Sequence, residues 1–217
     1  MLTPIHWLLS LMASALRLGA GAAAAPVETE QPIILYEFEG CPFCRIAREA
    51  ISEAGVTVLV RPCPKAGKRF RPQVKEEGGK AQFPYLVDPN MNVRMYESAD
   101  IAAHIRKNYG SKIRPFIHWL GPVNLMASSL GVMIRLIAGT FLSHSREPEK
   151  PLEFYGAERH PGARLVKERL CEMELEYIWR SQAPEGKIAP HLNDPNTGQE
   201  ITGAAAINRH LRNAYRS

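Results

Sequence analysis

One stretch, residues 33–54, limits the folds open to this chain more than any other. An apolar run, Ile33-Ile34-Leu35-Tyr36 with Phe38, reads as a buried strand and is followed by Gly40-Cys41-Pro42-Phe43-Cys44. Beyond it Phe43, Ile46, Ala47, Ala50, Ile51 and Ala54 form one apolar stripe at helical spacing, and Arg45, Arg48, Glu49 and Glu53 take the other face. Pro42 falls at the first helical position, where its missing N–H costs nothing. The segment thus delivers two cysteines to a helix start, where unpaired N–H groups and the positive dipole end favour a thiolate on Cys41. Cys44, within the first turn, is in reach to resolve a mixed disulfide formed on Cys41. A zinc ribbon would need a second ligand pair, and the remaining cysteines, Cys63 and Cys171, are single and far apart. Redox chemistry is the stronger reading, and no metal site is assigned.

The chain also repeats itself. Ile5-His6-Trp7-Leu8 and Leu11-Met12-Ala13-Ser14 recur as Ile117-His118-Trp119-Leu120 and Leu125-Met126-Ala127-Ser128, with Arg17 answering Arg135. Pro32–Glu53 aligns with Pro151–Glu172 through Leu35-Tyr36/Phe154-Tyr155, Pro42/Pro161, Arg45/Arg164 and Glu49/Glu168. Pro84–Tyr109 aligns without a gap with Pro190–Tyr215, sharing Asp88-Pro89-Asn90/Asp194-Pro195-Asn196, His104/His210 and Tyr109/Tyr215. Such self-similarity predicts two copies of one small α/β domain, each preceded by an apolar helical leader. The expected division is a leader over 1–31, a first domain over 32–110, an apolar helical linker over 111–150 and a second domain over 151–217. The polar, Pro-containing segments 110–115 and 143–150 mark the seams.

The first leader invites confusion with an export signal, since residues 8–25 are apolar apart from Ser10, Ser14 and Arg17 and end in alanines before Pro26. No basic residue precedes the apolar core, and a segment found again in mid-chain is structural there, so the first copy is expected to stay. Arg17 and Arg135, with glycine and proline interruptions, make neither copy a comfortable membrane span. Both are expected to pack on the domains as helices, with peripheral membrane contact as the minor alternative. The remainder is globular in composition, 45% apolar and 23% charged. A net charge of +5 suits anionic ligands or surfaces, but basic residues are interspersed with acidic ones, which argues against nucleic acid. Four cysteines make no disulfide scaffold in a chain of this length, so the CxxC suggests a reducing compartment such as the cytoplasm.

In the first copy the order is strand 33–38, helix 42–54 ended by Gly55, strand 57–61, a basic loop and short helix, strand 85–87, the Asp88-Pro89-Asn90 turn, strand 93–96 and helix 99–108 capped by Glu97-Ser98. This succession, with Gly-Cys-Pro-Phe-Cys, Phe83-Pro84 and Glu97-Ser98, resembles glutaredoxins and the N-terminal domain of glutathione transferases, members of the thioredoxin superfamily. The resemblance covers about 80 residues of the first copy well and the second copy more weakly. It implies that Cys41 is the nucleophile and Cys44 the resolving thiol. It further implies that Pro84 is a cis-proline facing Cys41, with the Phe83 backbone pairing with glutathione. Glu97 and Ser98 would hold its γ-glutamyl end, and Lys68 and Arg71 are weaker candidates for its glycyl carboxylate. Glu37 and Glu39 depart from the family pattern just before the motif and are expected to raise the thiol pKa.

The second copy has lost this chemistry. His160 stands at the Cys41 position, Ala163 at that of Cys44, and Gly203-Ala204 replaces Glu97-Ser98, while Pro190 persists. Cys171 and Cys63 read as buried small side chains. The resemblance therefore implies a glutathione-dependent thiol-disulfide oxidoreductase acting on disulfides or glutathionylated thiols through Cys41 and Cys44. The alternatives are a transferase joining glutathione to an electrophile, and a non-catalytic adaptor that binds glutathione or an iron–sulfur cluster.

Overall fold

The computed structural model describes residues 4–110, 115–135 and 138–217, so the expected seam at 110–115 lies mostly outside the described part. Helix α1 (Pro4–Ala15) precedes strand β1 (Ile33–Glu37), helix α2 (Pro42–Ala54), β2 (Val58–Pro62), α3 (Arg71–Gly78), β3 (Tyr85–Asp88), β4 (Val93–Met95) and α4 (Ser98–Tyr109). A 3-10 turn, Phe116–Trp119, leads into α5 (Pro122–Ile134). There follow β5 (Leu152–Tyr155), α6 (Pro161–Glu172), β6 (Tyr177–Arg180), β7 (His191–Asp194), β8 (Gln199–Thr202) and α7 (Ala204–Tyr215).

Local chemistry sets the boundaries of α2. Cys41 is extended, at φ −101° and ψ 120°, and accepts from the Cys44 N–H; Pro42 opens the first turn. Gly55, left-handed at φ 73°, closes the last turn by donating its N–H to the Ile51 and Ser52 carbonyls.

All eight strands share one sheet in the order β4-β3-β1-β2-β6-β5-β7-β8, which reads alike from either end. β1 runs parallel to β2, and β5 to β6, while the β3 and β7 pairings are antiparallel. The joint is antiparallel pairing of β2 with β6, Val58 opposite Trp179, Leu59 opposite Ile178 and Val60 opposite Tyr177. One apolar cluster runs through both halves, from Leu35, Ile51, Val60, Leu86 and Ile101 to Phe154, Val166, Trp179, Leu192 and Leu211. A smaller one, Tyr36, Cys63, Phe70, Val74 and Tyr85, lies under α3.

The charged face of α2 lies in the interior: Arg45, Arg48, Glu49 and Glu53 are all buried, as are Arg164 and Glu168 on α6. Their partners come from far along the chain. Arg17 binds Glu49 through two hydrogen bonds, 2.7 and 2.6 Å, and Arg135 binds Glu168 through two, 2.8 and 2.6 Å. One expectation needs correction, the register of the leaders. Ser10, not Ser14, is the counterpart of Ser128: Ser10 Oγ donates to the Pro161 carbonyl at 2.9 Å and Ser128 Oγ to the Pro42 carbonyl at 2.8 Å. The two alignments differ by about one helical turn, and residues four apart share a helix face, so an apolar helix resembles itself when slid by a turn.

Candidate active site

Cys41 and Cys44 lie where β1 hands over to α2, with Cys41 4% and Cys44 0% exposed. Cys41 Sγ accepts from the Cys44 backbone N–H at 3.3 Å. The Cys41 pKa is lowered. Hydrogen bonding from the Cys44 side chain is the largest cause; burial opposes it, and the Cys44 N–H, the Arg48 charge and the Phe43 N–H add to the lowering. The Cys44 thiol is pushed well up by burial and then by its neighbour Cys41. The two shifts run in opposite directions, so Cys41 is the more acidic thiol of the pair.

Arg48 explains why the carboxylates before the motif do not raise the Cys41 pKa as expected. Its guanidinium pairs with Glu37, with Glu39 at 3.1 Å and with Glu158 at 3.2 Å, and all four side chains are buried. Arg48 presents a positive field to Cys41, while the charge of Glu37 is felt at Cys44, where it helps to raise the thiol. Lys167, the residue of α6 matching Arg48, contacts Glu158 from the other half. Sequence reasoning placed Arg48 on the face opposite the apolar stripe and gave it no role; the retained charge at Lys167 was the available signal.

The Phe83–Pro84 bond is cis, as is Ala189–Pro190. The Phe83 ring meets Phe38 edge-on at 6.1 Å, and the Arg71 guanidinium lies 4.7 Å from the Phe83 ring centre. Arg71 is held by the Pro64 and Cys63 carbonyls at 2.7 and 3.1 Å. Glu97 is exposed, adopts φ 66°, unusual for a residue with a side chain, and accepts from Gln82 Nε2 at 2.6 Å. Its counterpart, Gly203, adopts φ 92°, so the backbone turn persists where the carboxylate does not. Ser98 is buried at the start of α4. Cys41, Cys44, Phe83, Pro84, Arg71, Glu97 and Ser98 thus sit on consecutive strand ends and helix starts of the first half. Lys68 stands apart: its side chain is exposed and its backbone N–H donates to Glu174 of the second half at 3.1 Å.

A segment after α5 packs against Gly40, the residue before Cys41. Gly40 N–H donates to the Gly139 carbonyl at 3.4 Å, and a Cβ on Gly40 would fall 1.9 Å from Thr140 Oγ1. Cys171 binds the same segment, donating to the Gly139 carbonyl at 3.1 Å and accepting from the Glu39 N–H at 3.3 Å. Burial pushes the pKa values of Cys171 and Cys63 well up, so both are thiols at neutral pH. In the second half His160 Nδ1 accepts from the Ala163 N–H at 3.2 Å, repeating the Cys41 geometry without sulfur. Beside the first-half site a cleft of about 790 Å³ begins at Phe43 and Ser98 and runs along α4. Among the described residues no three His, Cys, Asp or Glu side chains are grouped as a metal site, and nothing supports an iron–sulfur cluster.

Residues 35–113 match the family model described as glutathione S-transferase, N-terminal domain, a match that ends before the second half begins. No curated protein and no solved structure matches the chain. The matched segment carries Cys41, the cis-proline and the Glu97-Ser98 helix start together. Residues 35–113 are therefore a glutathione S-transferase N-terminal-type domain of the thioredoxin superfamily.

Proposed function

We propose that the chain is a glutathione-dependent thiol-disulfide oxidoreductase with one working site, in residues 32–110. The remainder is read as a leader over 1–31, a linker over 111–150 and a degenerate copy of the same domain over 151–217. The observation that carries the reading is the polarised pair, a lowered Cys41 beside a raised Cys44 at a helix start. The Cys41 thiolate attacks the glutathione sulfur of a glutathionylated thiol. That disulfide breaks, the departing thiolate takes a proton from water, and Cys41 is left joined to glutathione. Either the Cys44 sulfur, losing its proton to water, or a second glutathione thiolate then attacks Cys41 or its partner sulfur. One route releases glutathione and leaves a Cys41–Cys44 disulfide; the other releases glutathione disulfide and restores Cys41. Phe83 and Pro84 would align the tripeptide backbone, Glu97 and Ser98 its γ-glutamyl end, and Arg71 its glycyl carboxylate, with Lys68 the weaker candidate. Attack requires the buried Cys41 sulfur to become accessible to the substrate.

Reduction of a glutathione mixed disulfide, followed with the intact chain, tests the reading. Cys41→Ser abolishes turnover and Cys44→Ser retains the glutathione-linked route; equal behaviour of the two variants rules out the assignment. The second reading, transfer of glutathione to an electrophile, is favoured by the cleft beginning at Phe43 and Ser98. Conjugation of an aryl halide at a rate unaffected by Cys44→Ser would select it.

A further inference from the structure

Helices α1 and α5 pack on each other, α1 also on α6 and α5 also on α2. They do so through small side chains, Ser10 and Ala13 on one and Ser128 and Gly131 on the other. Their outward faces have no cover among the described residues. Ile5, Trp7, Leu8, Leu11 and Met12 are exposed on α1, and Val123, Met126, Leu130 and Met133 on α5, with Met126 69% and Met133 67% exposed. Neither helix contains an acidic residue, a lysine or an arginine. Large apolar side chains clustered on two adjoining helices differ from the scattered ones of an ordinary surface.

The flanks of this face are cationic. Across a cleft from Gly121, Asn124 and Leu125 stand Arg106 and Lys107, at the end of α4. Across a matching cleft from His6 stand Arg169 and Arg212. Arg212 also feels the charges of Arg209 and Arg216. Nearby carboxylates are engaged: Glu53 by Arg106 and His118, Glu168 by Arg135, and Glu172 by Arg169. Among the described residues Lys107, Arg209 and Arg212 lack a carboxylate partner.

We infer that the α1/α5 face docks on an anionic lipid bilayer surface. Charge decides between this and a second copy of the chain. Two-fold docking of the face on itself would set one cationic flank against another, whereas an acidic headgroup layer neutralises both. Length decides the depth. Helices of 12 and 13 residues are about 18–20 Å long, short of the ~30 Å hydrocarbon core. No helix among the described residues is long and apolar enough to cross a membrane. The pair therefore lies in the interface, its leucines and methionines at the acyl boundary and Trp7 at headgroup depth.

Flotation of the full chain with phosphatidylcholine vesicles, and with equimolar phosphatidylcholine–phosphatidylglycerol vesicles, tests the inference. Binding to the mixed vesicles is expected, falling as salt is raised, with little binding to the neutral ones. Leu8→Glu with Met126→Glu lowers partitioning at least about tenfold. Lys107→Glu with Arg212→Glu lowers it by roughly fivefold or more per side chain. Melting temperatures of both variants stay at the wild-type value. Should the glutamate pair destabilise the fold, quenching by brominated lipid in wild type and in Trp7→Phe decides instead, with the quenching lost when Trp7 is removed. The inference is overturned by wild type that floats with neither vesicle, by flotation indifferent to both variant pairs, or by a solution dimer that Leu8→Glu with Met126→Glu dissolves.

Discussion

Cys41 gains its thiolate character from local bonds and from one distant charge. The Cys44 side chain and N–H belong to any cysteine pair at this helix start, but Arg48 is specific to this interior. Because the Cys41 pKa is lowered, the thiolate fraction rises with pH through a midpoint below that of an unperturbed thiol and is constant above it. Turnover with a glutathione mixed disulfide is expected to follow that curve. Arg48→Met removes the positive field and leaves Glu37, Glu39 and Glu158 buried together without their shared partner. The midpoint should move up, and the fold should lose about 3–5 kcal/mol, the usual cost of breaking a buried ion pair from one side. A pH–rate profile alongside urea unfolding reads both effects. An unchanged midpoint in a folded variant would remove Arg48 from the account of Cys41.

The strand-turn-strand-helix unit closing each half is locked by one buried carboxylate. Asp88 accepts from Tyr109 Oη at 2.6 Å and from Asn90 N at 3.1 Å, and lies 2.7 Å from His104 Nε2; Asp194 lies 2.7 Å from His210 Nε2 and also accepts from Tyr215 and Asn196. Burial opposes the charge on Asp88, but hydrogen bonds from Tyr109, His104 and Asn90 outweigh it and hold the pKa below the ordinary carboxylate value. A depressed folded-state pKa contributes stability that is present above the unfolded-state value and lost as pH falls through the folded one. Asp88→Ala is therefore expected to cost about 2–4 kcal/mol at neutral pH and less in acid, and Asp194→Ala to behave alike, checked by thermal melts across pH. This unit was legible in sequence because its residues recur in identical order. The α2 helix was equally legible, since one apolar stripe, Pro42 and Gly55 bound it. The destination of its charged face was not, because Arg17, His118 and Glu158 reach it from distant segments, and a buried charge has the same spelling as a solvated one. For the same reason Cys41 could be named from the sequence, whereas the packing of Gly139-Thr140 on Gly40 could not.

At the scale of the molecule, the halves are joined by more than a linker. β2 and β6 close each other's open edges, the apolar core is continuous, and the leaders cross over. Ser10 reaches the second half while Arg17 holds the first, and Ser128 reaches the first half while Arg135 holds the second. None of this was readable from the repeat, which specifies two similar units but not which edges they share. Removing residues 111–217 would leave β2 as an unpaired edge and Pro42 without Ser128, and would take Gly139-Thr140 away from Gly40. The edge carries Val58, Leu59 and Val60 between backbone groups that must find partners. An antiparallel joint between two near-equivalent strands is also available between two copies of one strand, so residues 1–110 alone are expected to dimerise through β2. The full chain, with both edges paired, should unfold in one transition when followed by circular dichroism and by tryptophan fluorescence. Sedimentation of the 1–110 fragment distinguishes the cases. Leu59→Lys should weaken the fragment dimer, and a stable fragment monomer, or two separate transitions in the full chain, would mean that the shared sheet is incidental to the fold.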